Sequence, residues 1–87
     1  MDSKLAPVLW FRARSRQDIG AAVREARKLD GANQIEFADR AGISRSTVQR
    51  LERGDDVSVA ALMLALAELG LEAVIVPRGA QLTVSSR

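Results

Sequence analysis

Residues 34–54 constrain the fold of this chain most strongly, because two short helical patterns meet there at a single sharp break. The break is Gly42, and glycine readily adopts the left-handed backbone conformation that a tight turn between helices needs. Apolar side chains on both sides of the turn recur at the spacing of helices that share one core. They are Phe37, Ala38, Ala41, Ile43, Val48 and Leu51. The segment therefore predicts two helices joined at a fixed angle, with polar and basic side chains left outside.

Helix-capping residues extend this pattern to four helices. Ser15 or Asp18 can cap a first helix, and Asn33, with Glu36 three residues later, forms the capping-box pattern for a second. Ser44 can cap a third helix, and Ser58 can cap a fourth. The helices are predicted to end at about Lys28, at Gly42, at Gly54 and at Leu69, followed by Gly70. The face of the first helix that should be buried comprises Ile19, Ala22, Val23, Ala26 and Leu29.

The fourth predicted helix is apolar all round, since residues 59–67 contain no charged side chain. Such a helix is normally buried on every side, and a domain this small cannot cover both faces. A second subunit is the simplest cover, although a single exposed Leu64 would be unremarkable. The face turned toward the other helices should comprise Val59, Leu62, Ala65, Leu66 and Leu69, which leaves Met63, Leu64 and Ala67 outside.

The hydrophobic period changes after the fourth helix. Residues 71–76 are apolar and rich in β-branched side chains, which predicts a strand ended by Pro77, and residues 81–84 form a second short run. Residues 8–11, after Pro7, are a candidate N-terminal strand. The backbone N–H and C=O groups of a single strand need a pairing partner, which could be the same strand of a second subunit. The residues predicted to form a dimer interface are Met63, Leu64, Ala67, Leu71, Ala73, Val74, Ile75 and Val76.

These elements predict a mainly α fold: a bundle of four to five helices, a short C-terminal strand that could pair across a dimer, and a candidate N-terminal strand. The organisation is an N-terminal segment at 1–17, a helical domain at 18–70, and a C-terminal dimerisation strand and tail at 71–87.

Composition excludes several classes of site. The 87 residues include no cysteine and no histidine, which removes disulfides, thiolate zinc sites and the commonest general base. We expect no metal and no cofactor. No apolar run is long enough for a bilayer span and no signal peptide is visible, so a soluble, cytoplasmic protein is expected. Residues 1–54 hold eleven Lys/Arg against seven Asp/Glu, whereas residues 55–87 hold two against four, so the basic half of the chain is the half that contains the paired helices.

Two helices joined in this way form a helix-turn-helix, which can press its second helix into the major groove of DNA. The residues then predicted to contact base edges are Arg45, Ser46, Thr47, Gln49 and Arg50. The residues predicted to contact phosphates are Asn33, Gln34, Ser44 and Arg53. Simpler interpretations stay open, because Thr47 could bond within its helix and Arg50 could form a surface ion pair.

Residues 31–54, GANQIEFADRAGISRSTVQRLERG, resemble the Cro/phage-repressor (XRE) helix-turn-helix family, and the resemblance extends over about residues 18–76. It implies a buried structural ion pair between Arg27 and Glu52. Ala32 departs from the larger apolar residue common there, so looser packing is expected. The apolar fourth helix followed by a strand is most similar to the HipB-type antitoxins, which implies a homodimer on an inverted-repeat operator and a HipA-type kinase toxin as a further partner.

Other functions are also compatible with this sequence. The chain could be a stand-alone phage-like regulator without a toxin, or a protein-interaction module that uses Trp10, Phe11 and the fourth helix. Enzyme function is the weakest option, because the carboxylates of Glu36, Asp39 and Glu52 have no histidine, cysteine or phosphate-binding loop beside them.

Overall fold

The computed structural model describes residues 9–85, which contain four helices. They are α1 (Arg16–Leu29), α2 (Gln34–Ala41), α3 (Arg45–Arg53) and α4 (Val59–Glu68). The predicted mainly α, helix-turn-helix architecture is confirmed. The part of the N-terminal strand prediction that falls on residues 7 and 8 lies outside the described residues.

Local side-chain hydrogen bonds begin each helix where the sequence predicted. The side chain of the N-cap residue accepts a hydrogen bond from the backbone three residues later in every case; these residues are Ser15, Asn33, Ser44 and Ser58. In α2 the capping box is complete, because Glu36 Oε1 also accepts from Asn33 N at 2.9 Å. Gly42 ends α2 with a positive φ of 75°, which sets the turn into α3.

The core lies where α1 and α2 pack against α3, with α4 packed against α2. Phe37, Val23 and Val48 are its largest fully buried side chains, and Ala32 is buried beside them. Two predicted core positions were wrong. Leu29 is 65% exposed because it is the last residue of α1, just before the chain turns, and Val59 is 74% exposed because it is the first residue of α4.

The fourth helix presents one face to the core and one to the outside. Ala65 is buried, and Leu62, Leu66 and Leu69 pack against the core. Met63 and Leu64 are each about half exposed, at 49% and 47%, on the side that the sequence predicted to be free. The apolar outer face of α4 therefore lacks cover from residues 9–85.

The segment after α4 forms no strand in the described part of the single chain. Residues 72–76 make no backbone–backbone hydrogen bond to another described residue, and residues 9–14 are likewise outside any strand. The two segments do lie near each other: Arg12 Nη2 donates to the Ala80 carbonyl at 3.2 Å, and Phe11, Val76 and Leu82 line a common cavity of about 430 Å³. The strand that could pair across a dimer stays a prediction. Among the described residues, no helix is long and apolar enough to cross a bilayer.

Candidate nucleic-acid interface

The outward face at the beginning of α3 is an accessible polar surface of the paired helices. Arg45 and Ser46 are exposed, Gln49 is half-buried, and Val48 and Leu51 anchor the opposite side of the helix in the core. Arg45 makes no ion pair within residues 9–85. We call Arg45, Ser46 and Gln49 the reading face. Its backbone is held by a capped helix, so its side chains can reach a flat or grooved partner without rearranging the core.

The hydroxyl groups at the start of α3 are partly used in capping. Ser44 Oγ accepts from Thr47 N at 3.1 Å and lies 2.8 Å from Thr47 Oγ1. Thr47 is half-buried, whereas Ser46 is exposed with its Oγ 3.1 Å from Ser44 Oγ. Of these three hydroxyl residues, Ser46 is therefore the one most available to a ligand.

The two later arginines of α3 turn toward the residues that follow the helix. Arg50 Nη2 donates to the Asp56 carbonyl, and Arg53 Nε donates to Asp55 Oδ2 at 3.1 Å. Because a helix turns about 100° per residue, Arg45 and Arg50 project roughly 140° apart. Arg50 lies one helical turn after Ser46, but its guanidinium group is engaged at the Asp56 carbonyl, beyond the end of α3.

The start of α2 lies against the end of α3. Gln34 is half-buried and its Nε2 donates to Glu52 Oε1 at 3.1 Å, while Asn33 is engaged in the capping box. The backbone N–H groups of Gln34 and Ile35 lack intrahelical partners, as they do at any helix N-terminus. The predicted phosphate contacts at this end would therefore come mainly from backbone groups and not from the Gln34 amide.

A shallow polar cavity of about 310 Å³ joins the three helices beside the reading face. It is lined by Arg24, Gln34, Gln49, Glu52 and Arg53. Arg24 was not predicted as a site residue, although its position one helical turn before Arg27 on α1 could have indicated it. The fold adds its exposed cationic side chain to the same surface as Gln49 and Arg53.

The ion pair beneath this surface is buried and fully hydrogen-bonded. Arg27 Nε and Nη2 donate to the two carboxylate oxygens of Glu52 at 2.6 and 2.9 Å, and Arg27 Nη1 donates to the Ala32 carbonyl at 2.9 Å. The hydrogen bonds to Glu52 raise the pKa of Arg27, outweighing burial, which lowers it. Both groups are thereby committed to joining α1 to α3, in the structural role that the resemblance implied.

The three carboxylates that the sequence offered as candidates for chemistry lie in different surroundings. Glu36 is used in the capping box and Glu52 in the ion pair, while Asp39 is exposed on α2. No group of three or more metal-ligating side chains occurs within residues 9–85.

The residues predicted to form a dimer interface lie on two separate elements. Met63, Leu64 and Ala67 are exposed on α4, and Ala73, Val74, Ile75 and Val76 are exposed in the segment after it. Leu71 is half-buried next to the end of α4, where its backbone N donates to the Leu66 carbonyl at 2.9 Å.

Comparison with known proteins supports the fold. The family model described as Helix-turn-helix matches residues 23–75, which is more than half of the chain. A HipB–O4 20mer complex has a TM-score of 0.72 at 21% identity, covering 79% of this chain and 99% of that chain. A HipA–HipB–O2–O3 complex has a TM-score of 0.71 at 21% identity, with the same coverage. No curated protein sequence matches significantly. With its family model, its capped α2–turn–α3 unit and its HipB-like fold, the chain belongs to the helix-turn-helix family, as a member of the XRE type that the sequence indicated.

Proposed function

We propose that this protein is a homodimeric, sequence-specific DNA-binding repressor and the antitoxin of a HipBA-type module. The single observation that supports DNA binding best is the reading face: an exposed arginine and its polar neighbours at the beginning of a capped helix that the core holds in place. This is the part of a helix-turn-helix that reaches base edges in the major groove. Repression would follow from occupation of a promoter.

Within this proposal, the side chains of α3 divide by position. Arg45 forms a bidentate contact with guanine, and Ser46 and Gln49 contact neighbouring bases. Thr47 and Arg50 contribute less to base recognition than their sequence positions suggest, because Thr47 serves the cap and Arg50 turns toward Asp56. The backbone N–H groups of Gln34 and Ile35, next to the Asn33 cap, together with Ser44, Arg53 and Arg24, supply phosphate contacts that set the register of the protein on the duplex.

Selection of bound duplexes from a random pool tests this function directly. We expect an inverted repeat, with half-site centres about 34–36 Å apart, because a two-fold dimer places two copies of α3 in successive major grooves. Failure to retain any duplex at low salt would contradict the proposal and would favour the protein-interaction module.

Substitution of Arg45 tests the central contact. We expect Arg45→Ala to weaken operator binding by about 1–3 kcal/mol and to relax preference at one base pair per half-site, because a bidentate guanine contact is lost. The measurement is the affinity for the selected operator and for its single-base variants. Arg40→Ala, which removes the same charge from the last turn of α2, is the matched control and should leave the base preference unchanged. An Arg45→Ala variant with wild-type preference would remove Arg45 from this role.

The antitoxin assignment is tested separately from DNA binding. The structures with the same fold include one that contains HipA together with HipB. We expect co-purification with a HipA-type kinase encoded in the same operon. DNA binding without such a neighbour or complex would instead indicate a stand-alone regulator.

A further inference from the structure

The chain places two acidic residues, Asp55 and Asp56, directly after α3, and together they engage three arginines. We call this pair the acidic connector. Arg53 contacts Asp55 Oδ2 through Nε at 3.1 Å and Nη2 at 3.0 Å, and Arg16 of α1 pairs with the Asp56 carboxylate. Arg50 donates to the Asp56 carbonyl. Two of the three arginines near the end of α3 are thus paired with carboxylates, and the third contacts a backbone carbonyl.

Two other arginines are different. Arg45, at the beginning of α3, and Arg24 of α1 make no ion pair within residues 9–85, and both are exposed. The positive charge of this surface is therefore uneven, because the guanidinium groups of Arg53 and Arg16 are paired with carboxylates and those of Arg45 and Arg24 are not. A uniform basic surface would attract the phosphates of any sequence equally.

The carboxylates are not needed to end the helix. Gly54, with a φ of 83°, is the C-cap, and the Asp55 contribution to the turn is its backbone N, which donates to the Arg50 carbonyl at 2.9 Å. Both ion pairs are largely exposed, and exposed pairs add little to stability. Neither helix termination nor fold stability therefore requires the carboxylates of Asp55 and Asp56.

We propose that the acidic connector is a specificity-determining element, an inference that rests on the proposed DNA-binding function. Each carboxylate lies in direct contact with a guanidinium that would otherwise attract phosphate, and it repels any phosphate that approaches. Attraction to the backbone of arbitrary DNA is thereby reduced, and binding depends more on the bases that Arg45 contacts. Carboxylates that neutralise backbone-contacting arginines lower non-specific binding more than operator binding, because non-specific binding has little else to support it.

The test uses Asp55→Asn, Asp56→Asn and the double variant, with Glu25→Gln as the control for an increase of one in net positive charge. Glu25 is exposed on α1 and makes no ion pair within residues 9–85. Affinities for the selected operator and for an unrelated duplex of equal length are measured over a salt series. We expect each Asp→Asn change to raise affinity for the unrelated duplex roughly fivefold, as about 1 kcal/mol of charge interaction gives. The slope of log affinity against log salt concentration should steepen by about 0.9 for each additional phosphate that the protein neutralises.

A coupled variant separates local pairing from total charge. In an Arg53→Ala background, Asp55→Asn should lose most of its effect on the unrelated duplex, because the arginine that Asp55 neutralises is gone. Asp56→Asn should keep its effect in that background, because its partner is Arg16.

The outcomes distinguish this inference from the proposed function. Wild-type protein that retains no duplex would overturn both. Wild-type protein that binds its operator, with Asp→Asn variants that only match Glu25→Gln in affinity, salt dependence and operator preference, would overturn the inference alone. A lower operator-to-unrelated affinity ratio in the Asp→Asn variants, with the expected loss of effect in the Arg53→Ala background, would support it.

Discussion

Arg27 illustrates how much of the fold one side chain can organise. From α1 it donates two hydrogen bonds to Glu52 in α3 and one to the Ala32 carbonyl before α2, while Gln34 of α2 donates to the same carboxylate. Its pKa is raised above the ordinary arginine value. The stabilisation it contributes is therefore fully present below that ordinary value and is lost only as pH rises through the raised pKa.

Removal of one partner should be costly. We expect Glu52→Ala to lower the free energy of unfolding by about 3–5 kcal/mol, because it leaves the buried Arg27 charge unpaired. Urea denaturation measures the change. Arg53→Ala, which breaks the exposed pair with Asp55, should cost less than about 1 kcal/mol. Similar losses in the two variants would contradict the structural importance of the buried pair.

Replacing both members of the pair provides a second check. Arg27→Met with Glu52→Leu should recover a substantial part of the stability lost by Glu52→Ala, since no isolated charge remains buried.

The end of α3 approaches α1 closely at Gly20. Gly20 is buried in the middle of α1, and a Cβ at this position would lie 2.3 Å from the Leu51 carbonyl oxygen and 3.0 Å from that of Glu52. Only a hydrogen fits between these backbones. Because Gly20 has no side chain, α1 and α3 lie close enough for Arg27 to reach Glu52.

Gly20→Ala tests that approach through the sign of its effect. An alanine usually stabilises a helix interior relative to glycine by about 1 kcal/mol. Here we expect a loss of about 1–3 kcal/mol, because the added methyl group forces the two helices apart. Thermal and urea denaturation would both report the change. A more stable Gly20→Ala protein would show that α1 and α3 are not in such close contact.

Local and distant determinants of the fold differ in how well they could be predicted. The caps at Ser15, Asn33, Ser44 and Ser58 were predictable because their hydrogen bonds span only three residues. The close contact at Gly20 was not, because it joins residues about thirty positions apart that carry no local signal. Leu29 and Val59 fit the apolar period but lie at helix ends, where the period no longer reports burial.

The residues of the candidate site were likewise predictable only where the local sequence determines their position. The outward positions of Arg45 and Ser46 could be predicted from the core period of α3. The turning of Arg50 toward Asp56, the pairing of Arg16 with Asp56 and the position of Arg24 beside Gln49 required the tertiary fold.

At the scale of the whole molecule, several large apolar side chains outside the core are exposed on α4 and in the segment that follows it. Ile75 is 98% exposed, and Val74 and the outer residues of α4, Met63 and Leu64, are also exposed. Surfaces of this kind commonly mark an interface with another protein.

Disruption of that surface should separate the subunits. We expect Ile75→Asp to shift the protein from dimer toward monomer, because burial of a charged carboxylate in an apolar dimer interface is energetically unfavourable. Sedimentation velocity compares the species with the 9.4 kDa mass of the chain. Leu29→Asp places the same charge on another exposed apolar residue and should remain dimeric. Equal behaviour of the two variants, or a monomeric wild-type protein, would contradict the proposed dimer.

The core-facing and outward sides of α3 can change independently of each other. Val48 and Leu51 hold the helix, whereas Arg45 and Ser46 touch nothing in the core. Under the proposed function, exchanging those outward residues would redirect the protein to a different operator while leaving its scaffold intact. A few substitutions on the outward side could therefore give a repressor of a different operator, and each intermediate sequence would still fold.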